Sequence, residues 1–301
     1  MAHASRRLPP RAVIVTRPTE LELLLLRHGT RAQARFFLES RGQGLDDVVR
    51  QHELQHDAVH VVSQAIPVQW RKTAVTRADL DRFLFEPEDV IVAVGQDGLV
   101  ANVAKYLTGQ PVLGVNPSTQ LSDGVLARHA PASAKAVLKE VPEGRPTEAR
   151  TMVQATTSDG QRLLALNEIF VGHRSHQSAR YRIACGPREE RHSSSGVIVC
   201  TGTGATGWAR SIARHRQGCP SLPEPASTDL LFLVREPWPS VRTGTDVVDG
   251  RLGPGQSLAI TSEMNDGGVA FGDGIEADRL ELPYGQVLRI GAAPVPLRLV
   301  T

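Results

Sequence analysis

The sequence predicts an α/β domain with a parallel sheet at residues 1–134, followed by a β-rich domain at residues 135–301. A strand at residues 89–94, a helix at residues 99–107 and a strand at residues 112–115 follow one another at the spacing of a parallel β-α-β unit. After residue 134 the pattern changes to short β-rich runs separated by Gly, Asp and Pro turns.

The remaining elements are predicted from periodicity. An apolar run at residues 12–16 indicates a short buried strand. Residues 20–42 have helical periodicity that is interrupted near Gly29, and residues 46–66 repeat it until Pro67, which cannot continue a helix. The second domain contains predicted strands at residues 163–171, 179–184, 196–200, 230–234, 257–261 and 287–290.

Composition restricts the class of protein. The chain has 301 residues, 41% of them hydrophobic, which is enough for two globular domains. Its 34 basic and 32 acidic residues give a net charge of +2, too balanced for a general nucleic-acid binder. The apolar run at residues 23–26 is too short for a bilayer, and residues 1–11 lack a signal-peptide core. We therefore expect a cytoplasmic protein with neither a nucleic-acid nor a membrane partner.

Cysteines and histidines predict no structural metal site. Cys185, Cys200 and Cys219 are odd in number and lack C-x-x-C spacing, which argues against a disulfide framework and against zinc. His52 and His56 lie four residues apart on a predicted helix, and we interpret them as part of a solvated polar face rather than as metal ligands.

The turn Gly95-Gln96-Asp97-Gly98 joins a strand to a helix. Such a turn directs free backbone N–H groups and the positive end of the helix dipole at one spot, which suits a phosphate. A carboxylate beside phosphates is unfavourable unless it binds a metal ion or accepts a substrate proton, so we interpret Asp97 as a residue that takes part in the reaction. The alternative is an ordinary tight turn with a solvent-facing Asp97.

Two further segments carry polar groups suited to a nucleotide. Asn167 and Glu168 interrupt an apolar run, and a bulge or bend there would turn both toward ribose hydroxyls or a base edge. The alternative is an Asn-Glu pair at a turn. The glycine-rich segment at residues 201–208 supplies hydroxyls and backbone N–H groups, and its Trp208 is either a stacking ring or a core aromatic.

These segments resemble one known family in order and in residue type. The turn at residues 95–98 resembles the Gly-Gly-Asp-Gly signature of the NAD kinases, and residues 111–116 resemble the strand that follows it. Residues 166–169 resemble the family's Asn-Glu/Asp motif, and residues 196–208 resemble its second glycine-rich segment. With Phe271-Gly-Asp273-Gly274, the resemblance extends from about residue 90 to residue 275.

The resemblance implies a fold and an activity. The first domain would be Rossmann-like, the second sandwich-like, and the chain end would return to the first domain. The activity would be transfer of the terminal phosphate of ATP to the 2′-hydroxyl of the adenosine ribose of NAD. ATP with Mg²⁺ and NAD would be the small-molecule partners, and a homo-oligomer is expected.

The resemblance also assigns residues. Asp97 would be the catalytic carboxylate, with Mg²⁺ near it. The donor phosphates would be bound by Gly95, Gln96 and Gly98. The acceptor nucleotide would be bound by Asn167, Glu168, Thr203, Gly204, Thr206, Gly207, Trp208 and Ser211.

The chain departs from the family pattern at four positions. Gln96 replaces the second glycine of the signature, Leu99 a threonine, Gly202 a proline and Trp208 a tyrosine. A side chain at residue 96 restricts positive φ, and Leu99 removes a hydroxyl. Between residues 165 and 204 the pattern looks closer to the divergent, mitochondrial-type NAD kinases than to the common bacterial ones.

Other functions fit parts of the sequence. A kinase of a nucleoside, another nucleotide, a sugar phosphate or a lipid would keep Asp97 and change the acceptor site. A catalytically silent protein would bind nucleotide without turnover. Residues 202–207 also fit G-x-G-x-x-G, the fingerprint of dinucleotide-binding oxidoreductases. The acidic residue expected about 20 positions later is poorly placed, because Glu224 lies among prolines.

Overall fold

The computed structural model describes residues 9–118 and 124–301, which divide into two domains. The first domain extends to Glu148 and includes Arg298–Thr301, and the second comprises Ala149–Leu297. The predicted fold class, an α/β domain and a β-rich domain, is confirmed. The boundary lies after Glu148 rather than after residue 134, because the helix Ala134–Glu140 buries three apolar side chains in the first domain's core.

The elements are numbered along the chain. The α-helices are α1 Glu20–His28, α2 Arg31–Glu39, α3 Leu45–Ala65, α4 Asp97–Ala104, α5 Ala134–Glu140 and α6 Trp208–His215. The strands are β1 Arg11–Thr16, β2 Arg71–Thr76, β3 Asp89–Val94, β4 Pro111–Val115, β5 Thr147–Arg150, β6 Val153–Thr157, β7 Arg162–Ala165, β8 Glu168–His173, β9 Ala179–Cys185, β10 Arg188–Ser194, β11 Val197–Cys200, β12 Leu230–Val234, β13 Asp249–Leu252, β14 Ser257–Ser262, β15 Gly268–Gly272, β16 Arg279–Glu281, β17 Val287–Ala292 and β18 Leu297–Val300.

The first domain is built on a six-stranded sheet in the order β2-β1-β3-β4-β18-β5. β1 pairs in parallel with β2 and β3, and β4 pairs in parallel with β3 and β18. Every residue of β3 is buried, as in a central strand of a parallel sheet. Its one charged residue, Asp89, accepts hydrogen bonds of 2.8 and 2.7 Å from the Arg11 guanidinium, which neutralises the buried charge.

Helices cover this sheet and place the glycine turn. α3 and α5 pack on the sheet through Ala58, Val62 and Leu138, which belong to one core with Val90 and Val92. α4 contacts β1, β3 and β4. α1 and α2 pack on the start of α3 in a smaller apolar cluster. The turn that links β3 to α4 is therefore held between packed elements.

The second domain consists of two antiparallel sheets, in the orders β10-β9-β14-β17-β6-β7 and β13-β12-β11-β8-β15-β16. One apolar core contains side chains from both sheets, such as Tyr181 and Ile260 from the first and Ile169 and Phe232 from the second. Shared burial of this kind is the arrangement of a β-sandwich.

The structure divides two of the predicted segments and contains strands that were not predicted. The interruption predicted near Gly29 is confirmed, because Gly29 has a φ of 77° and Thr30 caps α2, so residues 20–42 form two helices. The strand predicted at residues 163–171 is β7 and β8, which lie in different sheets. β2 and β10 were not predicted, because both are edge strands and carry the charged side chains typical of edges. In the described ranges, no helix is long and apolar enough to cross a membrane.

Candidate active site

The glycine turn (Gly95–Gly98) connects a fully buried strand to the first turn of α4. Gln96 is the N-cap residue, with φ −80° and ψ 166°, and its side chain does not cap the helix. A Cβ on Gly95 would lie 3.1 Å from Leu99 Cδ2, whereas one on Gly98 would meet no atom within 4 Å. Leu99, the residue that replaces a threonine, is 1% exposed and belongs to the core. The open side of the turn is therefore at Gly98 and the first N–H groups of the helix.

The Asp97 carboxylate is held by backbone donors. Oδ2 accepts from the N–H of Val125 at 2.9 Å, and Oδ1 accepts from those of Leu126 and Ala127 at 2.9 and 2.8 Å. Asp97 is half-buried, so the interpretation as a solvent-facing turn residue is wrong. Two carboxylate oxygens offer about four lone-pair directions, and three bonds leave room for about one more partner.

The loop that holds Asp97 was not predicted from the sequence. A Cβ on Gly114 of β4 would lie 2.3 Å from Leu126 O, so the absence of a side chain lets this loop approach the strand. Gly124 has a φ of 59°, which a side chain would strain. The buried Asn116 follows β4, and its N–H bonds to His129 O at 2.9 Å. Only the glycine at residue 114 was a signal of this close approach.

Gln96 engages a cation beside the turn. Its Oε1 accepts a 2.8 Å hydrogen bond from Nη2 of Arg17, which lies between β1 and α1. Gln96 thus keeps a negative φ, and its side-chain amide oxygen binds Arg17. The turn offers one carboxylate that is already bonded to three N–H groups, so its residues do not fit a resident Mg²⁺ site of several protein ligands.

Asn167 and Glu168 lie where the chain bends from β7 to β8. The carboxylate of Asp273 accepts hydrogen bonds from the backbone N–H groups of Leu166, Asn167 and Glu168 at 2.8, 2.7 and 3.3 Å. Asp273 itself has a φ of 52°, a conformation that Asp tolerates, and its N–H bonds to Glu168 O at 3.1 Å. Asp273 therefore fixes the backbone of Asn167 and Glu168. This role could not be predicted from the sequence, because Asp273 lies 106 residues after Asn167.

Glu168 is electrostatically unusual. Burial, and then the negative charge of Asp273, raise the pKa of the Glu168 carboxyl to about 7. A carboxyl that is partly protonated at neutral pH can donate a hydrogen bond as well as accept one. Perturbed acids of this kind are concentrated at functional sites, although structural networks produce them too.

The glycine-rich loop (residues 201–207) packs directly on this bend. The buried Thr201 donates from Oγ1 to Leu166 O at 2.6 Å and from its N–H to Asn167 O at 2.9 Å. A Cβ on Gly204 would lie 2.1 Å from Asn167 O, so only glycine fits. A Cβ on Gly202 would lie 1.8 Å from the carbonyl oxygen of Glu224, which explains glycine in place of proline.

The hydroxyl of Thr203 is the polar group in this loop that lacks a partner. Among the described residues, its Oγ1 is buried with no hydrogen bond. An unsatisfied buried hydroxyl costs free energy and commonly indicates a missing ligand or water. Thr206 donates to Thr203 O at 3.3 Å, and Thr206, Gly207 and Ser211 are exposed.

Trp208 packs within the second domain. Its ring stacks on Phe170 with centroids 5.8 Å apart and planes at 15°, and the Arg235 guanidinium lies 4.8 Å from its centroid. Because the ring already has these two neighbours, the geometry favours the packing interpretation of Trp208 over stacking on a nucleotide base.

The topology excludes the interpretation of residues 202–207 as the dinucleotide-binding turn of an oxidoreductase. β11, which precedes the G-x-G-x-x-G segment, pairs antiparallel with β12, which follows α6. A dinucleotide-binding β-α-β unit requires parallel strands. Residues 202–207 are therefore a loop of a sandwich domain rather than a Rossmann turn.

The architecture is shared with solved structures. An NAD kinase from Archaeoglobus fulgidus in complex with ATP matches with a TM-score of 0.59 and 20% identity, over 97% of this chain and 93% of that one. A yeast NADH kinase complexed with NADH matches with a TM-score of 0.61 and 15% identity, over 97% and 83%. At these identities the likeness shows the fold alone, which this chain shares with both structures.

Relatives in sequence show the family. An NAD kinase of Symbiobacterium thermophilum is 33% identical over 225 residues, covering 70% of this chain and 73% of the relative. The human mitochondrial NAD kinase 2 is 23% identical over 76% of this chain and 71% of its own length. An NAD kinase of Mesorhizobium japonicum is 32% identical over 139 residues, but the alignment spans only 49% of that relative. No family model matches the chain. The chain belongs to the NAD kinase family, as predicted.

Proposed function

We propose that the protein is an ATP-dependent NAD kinase that makes NADP. One observation carries this proposal. Asp273 fixes the bend at Asn167 and Glu168, and the glycine-rich loop that packs on this bend contains the buried Thr203 hydroxyl, which has no hydrogen-bond partner among the described residues. Family membership supports the same activity. Sequence relatives named NAD kinase and a structural relative solved with ATP indicate the two substrates.

The glycine turn would bind the donor. Free N–H groups at the start of α4 and the cation of Arg17 suit the phosphates of ATP. Mg²⁺ would enter as part of the ATP complex, because this ion keeps most of its contacts to water and substrate phosphates. Gln96 would act by holding Arg17 beside the turn.

The second domain would bind the acceptor. The Asn167 amide and the Glu168 carboxyl would contact ribose hydroxyls and the base edge, and Thr203 would bond to the dinucleotide. The 2′-oxygen then attacks the terminal phosphorus of ATP, the bond to the bridging oxygen of ADP breaks, and the hydroxyl proton passes to Asp97 and on to water. The backbone N–H groups that hold Asp97 orient it for this step.

Mass analysis of products tests the proposal. The protein is incubated with ATP and Mg²⁺ and with NAD, NADH, nucleosides and sphingoid bases in turn. We expect one phosphoryl group on NAD. Asp97→Asn is expected to lower turnover by about 10²-fold or more while NAD affinity stays within about tenfold, because the loss removes proton transfer rather than binding.

The exposed Asp81 provides a matched control. Asp81→Asn changes an exposed carboxylate of the same domain that is not part of the turn and is expected to leave turnover unchanged. Phosphorylation of another alcohol in place of NAD would overturn the assignment of NAD as the acceptor. Near-native turnover of Asp97→Asn would show that Asp97 is not part of the mechanism. A cytoplasmic location and a homo-oligomer stay predictions.

A further inference from the structure

Two helices of the first domain bring a carboxylate and two imidazoles together. Glu22 of α1 and His52 and His56 of α3 each place one ligand atom so that all three lie within 4.8 Å of one another. The histidines are one helical turn apart, with ring centroids 4.2 Å apart. His56 Nε2 lies 3.2 Å from Glu22 Oε1. The interpretation of these histidines as a merely solvated face did not anticipate this carboxylate.

The cluster is organised by a helix cap. The Thr19 N–H donates to Glu22 Oε2 at 2.7 Å, and Thr19 and Glu22 form the capping box of α1. Oε2 is therefore engaged with the backbone while Oε1 faces His56. The Thr19 hydroxyl also lies 2.8 Å from His52 Nδ1, so the cap orients one imidazole as well. Contacts of this kind orient ligands in metal sites.

We propose that Glu22, His52 and His56 form a surface site for a divalent transition-metal ion such as Zn²⁺. Zn²⁺ prefers nitrogen and oxygen ligands at about 2.0–2.2 Å, and two ligands on one tetrahedral ion are then about 3.3 Å apart. The separation of 3.2 Å between His56 Nε2 and Glu22 Oε1 already meets this requirement. Rotation of the His52 side chain would bring its ligand nitrogen within the same distance of the ion, and water would complete the coordination shell.

Residues close to the cluster in sequence bond to the glycine turn and to the strand before it. Gln55, between the two histidines on α3, donates to Val94 O at 2.8 Å, at the end of β3. Arg17, two residues before Thr19, donates to Gln96. A bound ion would join α1 to α3, which pack against each other.

Metal titration of the chelator-treated full chain tests the site. We expect one equivalent of Zn²⁺ to bind in competition with a chromophoric chelator and to raise the melting temperature. His56→Gln and Glu22→Gln are each expected to weaken binding at least tenfold and to abolish the thermal shift. His60→Gln is the matched control, because His60 is an exposed histidine one turn further along α3.

Co²⁺ distinguishes this site from the cysteines. Its visible spectrum should show nitrogen and oxygen ligation that disappears in His56→Gln, whereas thiolate charge-transfer bands would locate the ion at a cysteine and overturn the proposal. Zn²⁺ affinity that is equal in native protein and His56→Gln would also overturn it. So would the lack of any binding at sub-millimolar Zn²⁺. Far-UV circular dichroism of each variant establishes that it is folded.

Discussion

At the scale of single residues, two half-buried carboxylates accept hydrogen bonds from the backbone. Asp97 and Asp273 lie in different domains, and each accepts three consecutive or clustered backbone N–H groups. Backbone N–H groups in a bend have no neighbouring strand whose carbonyl oxygens could accept their hydrogen bonds. A carboxylate can accept several of these hydrogen bonds instead. Each acid thereby fixes a segment that carries functional groups, and the charge of Asp273 also raises the pKa of Glu168.

The raised pKa of Glu168 predicts a pH-dependent stability. Its folded pKa of about 7 lies above the unfolded value of about 4.3, so the folded state binds the proton more tightly and loses stability as pH rises between these values. Glu168→Gln removes this loss. The variant should gain stability relative to the native protein between about pH 5 and pH 8, by up to about 3 kcal/mol, because each pKa unit corresponds to about 1.4 kcal/mol.

Urea unfolding at a series of pH values measures this difference. Glu276→Gln, which removes an exposed glutamate of the same domain, is the control for loss of a carboxylate. If the stability difference between Glu168→Gln and the native protein is flat from pH 5 to pH 8, the carboxyl does not titrate as described.

At the scale of elements, the proposed acceptor site depends on contact between two backbone segments. The glycine-rich loop lies against the bend between β7 and β8, and its closest approach is at Gly204. Thr201 adds two hydrogen bonds to the same bend. Loop and bend therefore behave as one unit, and displacement of either moves Thr203 and Glu168 apart.

Gly204→Ala is expected to disrupt this unit. The new Cβ would lie 2.1 Å from Asn167 O, so the loop must shift, and overpacking of this kind costs about 1–3 kcal/mol. We expect a lower melting temperature and a higher KM for NAD with a smaller effect on the KM for ATP. Gly44→Ala is the control, since a Cβ there meets nothing within 4 Å. An unchanged KM for NAD in a folded Gly204→Ala would contradict the role of this loop.

Local sequence signals predicted these elements unevenly. β3 and α4 were predicted within two or three residues because a buried apolar run, a turn and helical periodicity coincide there. The bend at Asn167 was expected as an interruption, but its cause, Asp273, lies 106 residues away. The loop that holds Asp97 is likewise set by tertiary contacts. Long-range hydrogen bonds leave no periodicity in the sequence, so sequence patterns predicted candidate site residues but not the contacts that position them.

At the scale of the whole molecule, the first domain is discontinuous. β18 pairs in parallel with β4, and Leu299 and Val300 are 0% and 1% exposed. The second domain is thus inserted between β5 and β18. Burial of each of these side chains contributes about 1.5–3 kcal/mol, so four terminal residues supply a substantial part of the first domain's stability.

Removal of residues 298–301 is expected to destabilise the first domain selectively. Amide hydrogen exchange in β4 should accelerate at least tenfold, while exchange in β9 and β14 of the second domain serves as an internal control and stays unchanged. Leu299→Ala should give a smaller effect in the same direction, with a cost of about 2–5 kcal/mol. Unaltered exchange in β4 after truncation would show that β18 contributes little.

The discontinuity also sets an order of events during translation. A ribosome that adds about 5–20 residues per second needs about 7–30 s to synthesise the inserted domain. During this interval the nascent first domain contains the glycine turn and β4 but lacks the strand that covers β4. The edge of β4 is then open to pairing with other chains. The inserted domain can complete its own core in the meantime, so the first domain begins to form before the second but is completed after it.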